Sequence, residues 1–347
     1  MNLGSPSMGG MSETLTKVPF GQTDMTITRA GFGAWAIGGG GWAFAWGDQE
    51  DDDSVAAIRH AVESGINWVD TAAVYGLGHS EEVVARALRD LPEADRPYVF
   101  TKGGYIWDES DRSKPPLRVA SPASLRQQVE ASLRRLGVDR IDLYQLHWPA
   151  ADGTPLEEYW QTFLDLRAEG KIRAAGLSNH TVAQLAAAEA LGHVDSLQPQ
   201  FSLIHRDAAA ELIPWCAAHG TGVIVYSPMG AGLLTGAFSA ERAANLGQDD
   251  WRSRSGDFTG DGLARNLALV DGLRPVAERL GVSTGAVAVA WTLAFPGVSG
   301  AIVGARSPQQ VDGWLAAANL VLDEKDLTEI AAAVTSSGAG TGPARPA

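Results

Sequence analysis

The chain has 347 residues, 45% of them hydrophobic, and 41 acidic against 27 basic side chains give it a formal net charge of −14. A surface this acidic disfavours nucleic acid as a partner, although a small anion still finds room in a local basic pocket. Cys216 is the only cysteine, so no internal disulfide forms and a reducing, cytoplasmic setting fits. No apolar run approaches the roughly 20 residues that span a bilayer.

Residues 1–15 lack the apolar core of a leader and read as a flexible tail, with Met11 as an alternative start. "KVPFGQTDMTITRAG" reads as a hairpin turning at Gly21–Asp24. "RAGFGAW" is a strand, followed by the helix "DSVAAIRHAVESG", capped by Asp53 or Ser54 and stopped at Gly65. "INWVDTA" is the next strand and "SEEVVARALRD" the next helix, with Ser80 as its cap. "YVFTKGG" precedes a helix capped by Ser121 with Pro122 in its first turn. Strands "IDLYQLHW", "IRAAGLSN", "SLQPQFS" and "GVIVYSP" then alternate with helices "PLEEYWQTFLDLRAEG", "TVAQLAAAEALG" and "AAAELIPWCAAHG". A Gly- and Ser-rich loop runs from about 229 to 262. Two helical patterns, a last strand "GAIVGA" and its helix "SPQQVDGWLAAA" follow, with one extra terminal helix. Residues 336–347 read as a second flexible tail.

Eight strand–helix units imply parallel strands joined by right-handed crossovers. We therefore expect an α/β fold, a (β/α)8 TIM barrel with an N-terminal β-hairpin and two extra helices, as one domain over residues 16–335. A doubly wound sheet would carry a glycine fingerprint in its first strand-to-helix turn. The glycine run at 38–47 lacks that spacing.

In such a barrel the polar residues at the C-terminal ends of strands face the active site. Here these are Asp70 with Tyr75 in its loop, Thr101 and Lys102, His147 and Trp148, Ser178 and Asn179, Gln198 and Gln200, Tyr226 and Ser227, and the stretch from Gly304 to Ser307. Asp, Tyr, Lys and His gathered at one mouth read as a proton-transfer site. Lys102 is the expected partner of Asp70, because a carboxylate at the end of a buried strand is costly alone. An ammonium beside Tyr75 is expected to lower the phenol's pKa. One His and one Asp do not make a zinc ligand set, and no metal site is expected. No G-x-S-x-G nucleophile elbow occurs.

From Lys17 to Val334 the sequence resembles the aldo-keto reductase superfamily. The resemblance is carried by "GINWVDTAAVYGLGHSEEVVARAL", "VFTKGG", "DLYQLHWP", "GKIRAAGLSNH", "PQFSLIHR", "VIVYSPMGAGLLTG" and "IVGARSPQQ", in order. "GAWAIGGGGWAFAWGDQE" is similar to bacterial members of the branch that also holds the potassium channel β-subunits and the general-stress reductases. The resemblance implies a catalytic tetrad of Asp70, Tyr75, Lys102 and His147, with Tyr75 as proton donor in reduction. It implies NADPH as cofactor, its nicotinamide held by Ser178, Asn179 and Gln200 and stacked on Tyr226, with Gly33 and Trp35 alongside. The pyrophosphate would run along Ser227, Pro228, Met229, Gly230 and Gly232. The adenosine end would meet Gly304, Arg306, Ser307 and Gln310, with Arg306 on the 2′-phosphate.

Asp312-Gly313 stands where the family often has Glu-Asn, so looser adenine contacts are expected. Trp42, Trp46 and Trp148 are expected to line an aromatic substrate pocket for a small carbonyl compound. A redox-sensing binding module with slow turnover is the alternative. A lyase using Lys102 as a Schiff base is disfavoured, because a paired ammonium is a poor nucleophile.

Overall fold

The computed structural model describes residues 14–247 and 250–346. Most of the expected N-terminal tail therefore lies outside the described residues. Thr14 to Thr16 are tied down, since Asn319 Nδ2 donates to the Thr14 carbonyl and Thr16 N donates to Asn319 Oδ1.

Strands β1 (Lys17–Pro19) and β2 (Thr26–Thr28) pair antiparallel as the anticipated hairpin. Phe20 and Met25 in its turn are buried with Trp68, Phe100, Leu143 and Ile224, so the hairpin plugs the barrel at the N-terminal ends of its strands. The strands that follow are β3 (Ala30–Gly33), β4 (Trp68–Asp70) and β5 (Tyr98–Gly103), then a two-residue hairpin, β6 (Tyr105–Ile106) and β7 (Leu117–Arg118). After these come β8 (Ile141–Leu146), β9 (Ile172–Ser178), β10 (Ser196–Gln198), β11 (Gly222–Val225) and β12 (Val298–Gly304). Eight of them close into a parallel barrel in the order β10-β11-β12-β3-β4-β5-β8-β9, the eight strands expected. The Trp68 ring fills the interior between β3 and β12. A Cβ at Gly31 would fall 2.1 Å from that ring, so only glycine fits there.

Around the barrel lie α1 (Asp51–Glu63), α2 (His79–Leu88), α3 (Pro122–Leu136), α4 (Leu156–Ala168), α5 (Val182–Glu189) and α6 (Leu212–His219). The short α7 (Ala240–Ala244) belongs to the loop after β11. It is followed by α8 (Gly260–Leu280), the fully buried α9 (Thr284–Leu293), α10 (Pro308–Leu315) and α11 (Glu324–Ser337). Helix α1 starts earlier than its expected caps, at Asp51 after Glu50, so three aspartates occupy its first turn and complement the helix dipole. Ser80 does not cap α2, whose N-cap is the left-handed Gly78. Its hydroxyl instead donates to the Ala34 carbonyl and pairs with Thr71, bracing the loop beyond β4. Ser121 and Pro122 open α3 as anticipated. No helix among the described residues is long and apolar enough to cross a membrane.

The expected C-terminal tail departs from its composition. Residues 336 and 337 complete α11, and the segment to 346 is strapped onto the loop after β10. The Arg206 guanidinium donates to the carbonyls of Leu203, Ala339 and Gly342, the Arg206 N–H to Thr341 O, and Trp291 Nε1 to Ala344 O. The glycines that suggested flexibility serve close approach. Gly340, at φ +60°, passes so near Ile204 that a Cβ would lie 2.3 Å from its carbonyl oxygen.

Candidate active site

Each member of the predicted tetrad sits at the C-terminal mouth of the barrel. Asp70 is the last residue of β4, Lys102 lies near the end of β5, and His147 follows β8, its N–H bound to the Gly103 carbonyl at 3.0 Å. Tyr75 hangs from the loop after β4, whose N–H groups bond back to the ends of the barrel strands: Thr71 to Phe100 O and Ala73 to Lys102 O. Lys102 Nζ donates to Asp70 Oδ1 at 2.5 Å, to Thr71 O at 2.9 Å and to Tyr75 Oη at 3.4 Å. These three acceptors match the three donors of an ammonium, which argues for the ionic form of the pair. Asp70 Oδ2 accepts from Gln198 Nε2 at 2.9 Å. The Tyr75 and Tyr105 rings both pack edge-to-face on the His147 imidazole, at centroid distances of 5.6 and 5.5 Å.

Burial governs the electrostatics. It pushes Asp70 up and Lys102 down, and their mutual attraction opposes both shifts. It also raises Tyr75 well above the ordinary phenol value, with the charge of Asp70 and the Tyr105 phenol adding to the rise. This overturns the expected lowering. The Lys102 charge is neutralised by a carboxylate 2.5 Å away, so Tyr75 faces a pair with little net charge rather than a free cation. Burial and the Lys102 charge hold His147 well below its usual pKa, as a neutral imidazole. Its Nδ1 is buried without a partner among the described residues.

Two cavities meet at this cluster. The larger, of about 400 Å3, runs from Asp70, Tyr75 and Gln198 past Ser227, Pro228, Met229 and Gly232 to Gly304, Arg306 and Gln310. The smaller, of about 240 Å3, is enclosed by Trp35, Trp42, Phe44, Tyr105, Trp148 and Tyr226, with Tyr75 and His147 at its base. Asn179 and Ser227 hold left-handed backbones, at φ +60° and +56°, which cost about 1–3 kcal/mol each unless the surroundings enforce them. Asn179 is so enforced. Its Nδ2 donates to His147 O at 3.0 Å and to Ser178 Oγ at 3.1 Å, and its Oδ1 accepts from Tyr226 Oη at 2.9 Å. Among the described residues no group of His, Cys, Asp and Glu is placed to hold a metal ion.

The Aldo/keto reductase family model matches residues 31–335. The NADH-specific methylglyoxal reductase of Escherichia coli K12 is 34% identical over 323 residues, which is 90% of this chain and 97% of that protein. The chain belongs to the aldo/keto reductase family. Among solved structures, the glycerol dehydrogenase AKR11B4 of Gluconobacter oxydans superposes with a TM-score of 0.84 at 34% identity, covering 94% of this chain and 97% of that one. An aldo/keto reductase of Klebsiella pneumoniae, solved with NADP and acetate, gives a TM-score of 0.66 at 28% identity, covering 90% and 93%.

The reductase departs from its sequence reading at several positions. Gln200 is exposed and lines neither cavity, whereas Gln198 is buried and lines both. Strand β10 ends at Gln198; beyond Pro199, Gln200 makes a single parallel bridge with Tyr226 and its side chain is exposed. Trp46 borders the larger groove rather than the smaller cavity. Gly230 is buried behind the groove wall and Ser307 is the N-cap of α10; neither lines a cavity. Asp312 pairs with His60 at 2.6 Å, away from the groove that Gly313 borders.

Sequence reasoning missed the part played by the loop after β11. It folds back so that Trp251 stacks on Trp35 at 5.5 Å and meets Trp46 edge-on at 5.7 Å. Arg252 lies 4.8 Å over the Trp46 ring. The adjacent Trp-Arg inside a Gly- and Ser-rich stretch was the available signal, since such a loop has little other reason to hold a tryptophan. Tyr105 was also missed, because a two-residue strand leaves no periodicity to read.

Proposed function

We propose that the reductase moves hydride reversibly between a nicotinamide dinucleotide and an aldehyde or ketone, with Tyr75 as the proton donor in reduction. The observation that carries this reading is the placement of Lys102 Nζ, bonded to both Asp70 and Tyr75 at the floor where the two cavities join. The larger groove fits a dinucleotide. It is elongated, bordered by glycines at 33, 232, 285, 304 and 313, polar at the tetrad end and cationic at the other. Gln198 and Tyr226 line both cavities, so Gln198 would hold the carboxamide and Tyr226 the ring face, with Ser178 and Asn179, which line only the smaller cavity, assisting where the two meet. The turn from Ser227 to Gly232 would meet the pyrophosphate through its N–H groups. Arg306 and Gln310 would meet the adenosine end. When bound, the dinucleotide supplies or accepts the hydride.

This chain's residues handle the proton. Tyr75, protonated because burial raises its pKa, gives its Oη proton to the carbonyl oxygen as negative charge develops there. The Lys102 ammonium stabilises the phenolate left behind, and Asp70 holds that ammonium in place. His147, neutral because burial lowers its pKa, orients the carbonyl without adding a charge. In oxidation the phenolate takes the proton back.

The smaller cavity has aromatic walls and no Asp, Glu, Lys or Arg among its lining residues. A charged substrate would lose its hydration there without a partner, so small uncharged carbonyl compounds are the substrates we propose. The Escherichia coli relative is named for methylglyoxal and NADH, and the Klebsiella structure holds NADP. Both dinucleotides thus occur on this fold, and the choice between them falls to the cationic end of the groove. A cytoplasmic setting fits the single, buried Cys216, whose thiol is pushed up to about 12 by burial.

The test is a carbonyl panel assayed with NADH and NADPH, following nicotinamide absorbance, for the parent and Tyr75→Phe. Loss of the proton donor is expected to lower kcat by about 10²- to 10⁴-fold with dinucleotide affinity retained. Equal turnover by parent and Tyr75→Phe would refute the assignment. Tight dinucleotide binding with no turnover on any carbonyl would favour a redox-sensing module instead.

A further inference from the structure

Three arginines border the far end of the large groove, and they are not equivalent. Arg252 is committed to Asp250, its Nε 3.0 Å from Oδ1 and its Nη2 2.6 Å from Oδ2. Arg242 has no carboxylate partner among the described residues and lies 5.5 Å over the Phe238 ring. Arg306, just beyond β12, is gripped by the loop that joins β3 to α1. Its Nε donates to Gln49 Oε1 at 2.5 Å, its Nη1 to Trp46 O at 3.4 Å and its Nη2 to Asp48 O. Gln49 is itself anchored, since its Nε2 donates to Ser54 Oγ at 3.0 Å and to the Arg306 carbonyl at 3.1 Å. The Arg306 N–H in turn donates to Gln310 Oε1 at 2.8 Å.

A guanidinium holds phosphate best through a free, planar fork of paired N–H groups. Here all three nitrogens of Arg306 already donate, and three acceptors fix its plane toward the loop. The charges of Arg252, Asp250, Arg242 and Asp48 all act on the same guanidinium, so an added dianion at this end meets carboxylates as well as arginines. Arg242 and the backbone turn at 227–232 stay open to the pyrophosphate that both dinucleotides share.

We propose that Gln49 is a specificity-determining residue: it latches Arg306 to the 46–49 loop, withholds it from a 2′-phosphate, and so makes NADH the preferred dinucleotide of this reductase. The inference rests on the dinucleotide reading of the groove. It reverses the cofactor preference that Arg306 implies when read from sequence alone. Because Gln49 is neutral, the groove end keeps its positive charge for the pyrophosphate while the arginine is held aside.

The experiment measures equilibrium dissociation constants for NADH and NADPH by titration calorimetry at fixed ionic strength. It compares the parent chain with Gln49→Leu and Gln49→Glu. The parent is expected to bind NADH more tightly. Gln49→Leu removes one competing acceptor and should tighten NADPH by about fivefold, the worth of one ordinary hydrogen bond, with NADH changed by less than about twofold. Gln49→Glu places a carboxylate on Arg306 and should weaken NADPH by a comparable factor. These opposite signs keep the test decisive if one variant folds poorly. A parent that prefers NADPH, or a Gln49→Leu variant whose NADPH-to-NADH ratio stays the same or moves toward NADH, overturns the latch. A parent that binds neither dinucleotide overturns the reading of the groove itself, and the latch with it.

Discussion

Asp70 and Lys102 offer a thermodynamic cycle whose outcome the structure dictates. The two charges are 2.5 Å apart, and their side chains are 3% and 0% exposed. Asp70→Asn keeps the shape and can keep an amide oxygen on Lys102 Nζ, beside Thr71 O and Tyr75 Oη, but leaves the buried ammonium without a counter-charge. Breaking a buried pair in this way costs about 3–5 kcal/mol. Lys102→Met leaves the carboxylate with neutral amide donors only, Gln198 Nε2 foremost, at a comparable cost of about 3–5 kcal/mol. The double variant buries no net charge, so it is expected to lose no more than either single one. The coupling energy is then about 3 kcal/mol or more, well beyond the ~0.5 kcal/mol within which independent sites add. Urea unfolding of the four proteins near neutral pH, followed by tryptophan fluorescence, measures each corner of the cycle. Losses that simply add would show that the two side chains do not neutralise each other, and the account of Tyr75 as a protonated phenol beside a compensated cation would fail with them.

Two further expectations concern pH. With Tyr75 held above and His147 well below their ordinary values by burial, kcat for carbonyl reduction should stay flat between about pH 6 and 9, while kcat for alcohol oxidation climbs as the phenolate fraction grows. A bell-shaped reduction profile centred near neutrality would contradict both assignments. His180 should contribute to acid sensitivity together with His147, whose burial acts in the same sense. His180 is buried, its Nδ1 lies 2.8 Å from Ser178 O and its Nε2 3.0 Å from Tyr159 Oη, and burial lowers its pKa from 6.5 to about 4. The unfolded chain binds the extra proton throughout that window, so its contribution is complete above pH 6.5 and is lost as pH falls toward 4. The His180 share of the loss at pH 5 comes to about 2 kcal/mol, read as a fall in the urea midpoint that His180→Gln should lessen.

The barrel was legible because its strands are short apolar runs, most of them closed by a polar residue and followed by a helix. Asp70, Lys102 and His147 could be assembled from sequence for the same reason: strand ends converge whatever the loops do. What was illegible depends on how loops cross the mouth. Trp46 and Trp251 lie far apart in sequence and meet only because the loop after β11 doubles back. Nothing local to Arg306 reveals that Gln49 holds it. Gln198 and Gln200 lie two residues apart at the end of β10, and the sequence does not show that only Gln198 faces the cavities. The sign of the Tyr75 shift was misjudged because burial, which raises a phenol, was left out and Lys102 was weighed without the carboxylate that cancels it. The C-terminal segment shows a further limit: glycine composition signals freedom in a free chain, and close approach once Arg206 and Ile204 are there to receive it.

The packing of Trp35, Trp46 and Trp251, with ring centroids 5.1 to 5.7 Å apart, gives the molecule an optical signature of its own. Indoles this close share excitation rather than emit as independent reporters. Trp35 belongs to the wall between the two cavities, Trp46 to the loop that grips Arg306, and Trp251 to the long returning loop. A rearrangement of either loop over the groove would therefore alter this coupled cluster, seen against the emission of the other eight tryptophans.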